Sequence, residues 1–160
     1  MFTVRDICTV AAQIEQNGER FYRSTQAKVG SKVLKDMLGW LADEEKRHAQ
    51  WFSDLSKGIA TAPGNLQIEE LGRTLLQDSM NNQTFSLDEK LLMQADGIER
   101  LCRHAIEFEQ DTIVFYEMLR AFIDTEETLA QLDKIIGEEK QHVAKLTKLT
   151  EDYEDQQGKK

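Results

Sequence analysis

At 160 residues, 40% of them hydrophobic, the chain is one domain's worth of sequence with enough apolar material for a sizeable core. Its 29 acidic against 20 basic residues give a formal charge of -9, which argues against a nucleic-acid or anionic-membrane surface. No apolar run approaches a membrane span, the start MFTVRDICTV lacks a signal-peptide layout, and Cys8 and Cys102 form no CxxC pair. A cytoplasmic protein is expected, and any metal in it is to be held by oxygen and imidazole.

One proline and nine glycines leave few helix breakers, so an all-α fold is expected. Thr3 caps a first helix reaching about Val29, where Gly30 is read as a left-handed stop. Ser31 caps a second helix to about Lys57, before Gly58, and so short a turn makes the pair antiparallel. Residues 59–95, with Pro63, Gly64 and the run Asn81-Asn82-Gln83, read as a long crossover carrying short helices near 66–77 and 87–95. Asp96 caps a third helix to about Ile123, Thr125 opens a fourth with Glu126 and Glu127 at its positive end, and residues 151–160 read as a charged, frayed tail.

Sliding the chain against itself by 94 residues, without a gap, places Glu15 on Glu109, Phe21-Tyr22 on Phe115-Tyr116, and EEKRH (44–48) on EEKQH (138–142). Each half is then one helical hairpin. Two hairpins joined by a crossover make a four-helix bundle over residues 1–150 with approximate internal two-fold symmetry.

The second helix shows the seam Leu34, Leu38, Leu41, Glu45, His48, Phe52, Leu55, and the fourth repeats it with Glu139 and His142 at the polar places. The first and third helices carry one acid each in the same kind of seam, Glu15 and Glu109. Glu15 lies fifteen residues before Gly30 and Glu45 fifteen after it, so the two stand at one height in the hairpin. Uncompensated, each buried carboxylate costs several kcal/mol, and four together exceed a domain's usual net stability of ~5–15 kcal/mol. Cations must neutralise them. Two divalent ions suit four glutamates and two histidines, one Glu from each of two helices and Glu-x-x-His from each of the others.

A single Glu-x-x-His on an acidic helix is ordinarily an exposed pair. Its repetition, each time with another glutamate thirty residues earlier, is what marks Glu15, Glu45, His48, Glu109, Glu139 and His142 as ligands. His104 fails the test because Leu101 stands three residues before it. Tyr22 and Tyr116 fit equally as core aromatics or as residues near the site. Glu19, one turn after Glu15, is an additional acid near the site, although Ile113 is its counterpart. Cys8 and Cys102 read as small core residues.

The blocks IEQNGERFY, LADEEKRHA, AIEFEQDTIVFY and IIGEEKQHV resemble the ligand-bearing helices of the rubrerythrin-type branch of the ferritin-like superfamily, over about residues 4–150. The resemblance implies a two-iron centre in which Glu45 and Glu139 are shared by both metals, Glu15 and Glu109 are terminal carboxylates, and His48 and His142 are the imidazole ligands. Tyr22 and its mate Tyr116 would hydrogen-bond around that centre. It further implies an oxidoreductase reacting with hydrogen peroxide or dioxygen in oxidative-stress defence. Two departures stand out: Thr112 occupies the place of a further family glutamate, and no rubredoxin-type motif is present. Electrons would come from an external, rubredoxin-like donor, and a homodimer or larger homo-oligomer is expected. Oxygen-plus-imidazole ligation also suits manganese or zinc. The competing readings are an iron-handling protein for transport or storage, and a helical module with a structural metal.

Overall fold

The computed structural model describes residues 3–59 and 97–157, which form four helices in two compact units. The first unit contains α1 (Val4–Lys28) and α2 (Lys32–Gly58); the second contains α3 (Gly97–Arg120) and α4 (Glu126–Gln157). The expected crossover helices and the Asp96 cap lie outside the described residues.

Local chemistry sets the start of the first hairpin. Thr3 closes a capping box, its hydroxyl accepting from the Asp6 amide at 3.3 Å while the Asp6 carboxylate accepts from the Thr3 amide at 2.7 Å. At the other end, the Val29 amide donates back to the Thr25 carbonyl, and the Ser31 hydroxyl then accepts from the Leu34 amide to begin α2. Gly30 is not a left-handed stop, since no described residue has positive φ. Val29 and Ser31 are both extended, so the reversal needs no special backbone at Gly30. Gly58 likewise closes α2 from within, with Ile59 as the extended cap.

Long-range bonds clasp this hairpin at both ends. Near the turn, the Gln26 amide lies over Gly39 and donates to the Lys35 carbonyl, and Arg23 pairs with Asp43. At the open end, the Arg5 guanidinium donates to the carbonyls of Ser56 and Ile59 at 3.0 and 2.8 Å. A cation in the first turn opposes its own helix dipole, but here it satisfies orphan carbonyls at the negative end of the antiparallel neighbour.

The second hairpin closes differently. α3 stops at Arg120, short of the expected Ile123, because the next three amides bond to carbonyls three residues back, as in a tight 3₁₀ turn. The Leu129 amide then reaches the Thr125 carbonyl to start α4, and Arg120 pairs with Asp133 at 2.6 Å across the hairpin. α4 runs to Gln157, so the expected fraying at 151 does not occur. Glu151, Glu154, Gln156 and Gln157 are good helix formers, with no Gly or Pro among 151–157, and Arg103 of α3 pairs with Glu154 at 3.7 Å.

The apolar seams are buried in both units: Cys8, Ala11, Leu38, Leu41 and Phe52 in the first, and Cys102, Ala105, Leu119, Leu132 and Ile135 in the second. Phe52 is fully buried with its ring 4.8 Å from that of Trp51. Phe52→Leu should therefore leave a partly filled void costing ~1–2 kcal/mol, read as a lower urea midpoint at unchanged slope.

Candidate metal centre

Each hairpin brings one acid of its first helix beside the Glu-x-x-His of its second. In the first unit, Glu15, Glu45 and His48 are fully buried and offer ligand atoms within 4.8 Å of one another. The second unit repeats the arrangement with Glu109, Glu139 and His142, also fully buried and within the same spacing. Helical periodicity explains the grouping. Residues three apart share a face, which aligns glutamate and histidine on α2 and on α4, and equal distance from the turn aligns the facing acid.

The imidazoles turn the same atom inward. His48 Nδ1 lies 3.7 Å from Glu15 Oε2; His142 Nδ1 lies 2.8 Å from Glu139 Oε2 and 3.8 Å from Glu109 Oε1. Burial alone would lower the His142 pKa, but hydrogen bonds and charge from Glu109 and Glu139 outweigh it and raise the pKa from 6.5 to about 9. Two carboxylates and one imidazole are hard-oxygen and borderline-nitrogen donors, and they gather where a bare anion pair is costly. This donor set fits a divalent transition ion in each half, with the proton on His142 competing for the same place.

That competition has a signed consequence for the metal-free protein. A folded-state pKa raised above the unfolded value stabilises the fold fully below pH ~6.5, and the contribution disappears as pH rises through about 9. Chelator-treated protein should therefore lose stability between these values in urea titrations, while the metal affinity of the second half increases over the same range. Stability rising with pH across that window would contradict the His142 geometry.

The other candidate residues sort clearly. Tyr22 and Tyr116 are fully buried, with Tyr22 edge-on to Phe21 at 5.4 Å and Tyr116 tilted against Phe115 at 5.8 Å. Glu19 is half-buried and belongs to none of the potential metal-binding groups among the described residues. His104 is exposed beside Glu107 at 3.8 Å. Thr112 is buried, and its hydroxyl donates to the Phe108 carbonyl at 2.9 Å, so it is held by its own helix. Cys8 and Cys102 are buried free thiols; burial pushes Cys8 up to about 12 and raises Cys102 against a bond from Thr150, keeping both protonated.

Sequence reasoning missed the surroundings of His48. Arg47 Nη2 lies 3.4 Å from His48 Nε2 and 2.8 Å from Glu44 Oε2. The signal was the one difference between EEKRH and EEKQH, where Gln141 stands in the place of Arg47.

No curated protein matches the chain at a significant level. A crystal structure from Thermotoga maritima, of a protein described as a ferritin-like diiron-carboxylate protein, is similar with a TM-score of 0.68 and 25% identity, covering 94% of this chain and 96% of that one. The likeness establishes the all-α ferritin-like bundle as the fold. The description of the rubrerythrin family matches residues 6–150, from the first turn of α1 to the last part of α4. A match of that extent, over two hairpins that each bury the same three ligand types, places the chain in the rubrerythrin family.

Proposed function

We propose that this protein is a two-iron oxidoreductase that reacts with hydrogen peroxide or dioxygen and draws its electrons from an external donor. The observation that carries the reading is the duplicated buried triad, Glu15, Glu45 and His48 in one hairpin and Glu109, Glu139 and His142 in the other. Each triad holds one ion, with Glu45 and Glu139 in the positions that rubrerythrins share between metals. When bound, a ferrous pair supplies two electrons, which with two protons reduce hydrogen peroxide to two waters.

The chain's own residues prepare that chemistry. Four carboxylates neutralise the ions, and His48 and His142 present Nδ1 to the same side as the acids. Buried Leu41, Phe52, Leu132 and Ile135 flank the ligands along their helices and keep bulk water away. No helix among the described residues is long and apolar enough to cross a membrane. Protonated, unpaired thiols at Cys8 and Cys102 suit the reducing cytoplasm, where oxidative-stress defence by a homo-oligomer served by a rubredoxin-like donor is the setting we favour.

Thr112 favours one competing reading. A threonine whose hydroxyl is engaged with Phe108 stands in the place of the further family glutamate, and iron oxidation for transport or storage would not need that glutamate. Anaerobic ferrous loading followed by peroxide separates the two. A peroxidase shows rapid optical change and repeated turnover with a reductant; an iron handler oxidises its iron once and retains or releases it.

A further inference from the structure

The repeat that pairs the buried acids breaks down in charge at the two hairpin turns. From residue 20 to residue 35 the chain carries Arg20, Arg23, Lys28, Lys32 and Lys35 and no acid, within a sequence of net charge -9. Around the turn of the second hairpin the sign is reversed: residues 121–133 hold Asp124, Glu126, Glu127 and Asp133 and no base. In the 94-residue register Lys32 falls on Glu126 and Val33 on Glu127.

Local stability does not account for the basic turn. α4 opens with Glu126 and Glu127, which favour the positive end of its dipole, whereas α2 opens with Lys32 and has no acid in its first turn, which opposes that dipole. Lys32 pairs with Asp36 one turn on, yet its side chain stays 87% exposed, and Lys35 is exposed as well. Between the two lysines Val33 is 72% exposed, an apolar side chain left in solvent. At the other turn Asp124, Glu126 and Glu127 are exposed, and exposed Ala121 with half-buried Phe122 and Ile123 supplies apolar surface beside them. Each turn offers what the other lacks.

We infer that these turns are the two sides of one contact, in which the lysine turn at 28–35 of one molecule docks on the acidic turn at 121–127 of a second copy. Lysines meet carboxylates, and Val33 covers the apolar surface around Phe122. Made once, such a contact leaves a turn of each sign open and extends into longer species; made reciprocally by two molecules, it closes as a dimer. Because the charges face solvent, they select and steer the partner and are screened by salt. The inference deepens the homo-oligomer favoured above by giving it a surface, and the contact needs no metal.

Sedimentation velocity of the metal-loaded protein over a range of concentrations tests it, with elemental analysis of the same samples. At about 50 mM salt the wild type should form dimers or longer species, and at about 300 mM that association should weaken roughly tenfold. V33S should weaken it without altering charge. K32E/K35E and E126K/E127K should each stay monomeric, because each leaves both turns with net charge of one sign. An equimolar mixture of the two should associate again through the unaltered turn of each, a recovery that a folding defect cannot imitate. A wild type that is monomeric at low salt, association indifferent to salt and to V33S, or charge variants that associate as the wild type does would each overturn the inference. The first of these results would point instead to an acidic protein of another kind as the partner of the lysine turn. Full metal content in samples that fail to associate would leave the two-metal reading intact, and association by protein that holds no metal would leave the contact intact.

Discussion

Glu139→Ala is expected to abolish rapid oxidation of the ferrous-loaded protein by peroxide while the helices persist. Glu139 is fully buried, 2.8 Å from His142 Nδ1, and in the proposed centre it is the carboxylate assigned to both ions. Its loss removes a charge that each ion needs, so metal content should fall and the reaction should slow by at least ~100-fold, equivalent to about 2.7 kcal/mol of barrier. The metal-free fold should survive. His142 loses a close partner, but the cost of desolvating one carboxylate disappears with it. Stopped-flow oxidation and circular dichroism of both proteins check the two halves of this expectation, and Phe52→Leu serves as a control that loses packing but keeps every ligand.

The second large effect is on thermal stability. Ions that bind only the folded chain stabilise it by mass action, about 4 kcal/mol per site at a free concentration of 1,000 Kd. Even one site so filled should raise the melting temperature by roughly 10 °C for a chain of this size. Calorimetry with Mn²⁺ or Zn²⁺ against chelator should show that rise in wild type, and Glu139→Ala should lose most of it. An equal melting temperature with and without metal would mean that the buried acids are compensated in some other way.

The buried acid and imidazole clusters were legible from sequence because their constraint is periodic and duplicated. A glutamate and a histidine three apart, in a seam that is otherwise apolar, have no soluble-surface explanation when the pattern recurs at a fixed offset with its partner acid. His104 fails the same test, and it sits exposed beside Glu107. Glu19 shows the limit of the method. One turn from a ligand it shares roughly the same side of α1, but the small remaining rotation leaves it half-buried and outside the ligand groups.

Helix ends were less legible, because turn residues report what a backbone can adopt and not what it does adopt. Gly30 permits a left-handed stop, but Val29 and Ser31 complete the reversal in extended conformations. Charge at the tail suggested fraying after residue 150, whereas helix propensity and the Arg103–Glu154 pair carry α4 to Gln157. Long-range bonds were invisible for a different reason. Arg5 looks misplaced at the start of a helix until the antiparallel α2 puts the Ser56 and Ile59 carbonyls within its reach. Buried Thr25, whose hydroxyl finds no hydrogen-bond partner among the described residues, lies in step with Glu15, Gly18 and Tyr22, but as a small polar residue it did not stand out in the seam.

Metal stoichiometry tests the central claim most directly. Protein stripped with chelator, reconstituted anaerobically with ferrous ion and freed of excess should contain two irons per chain by elemental analysis. His48→Ala and His142→Ala should each bring that number down to about one, because each removes the single imidazole of one triad. One iron or fewer in fully reconstituted wild type, or two irons retained in both histidine variants, would contradict the assignment of an ion to each triad.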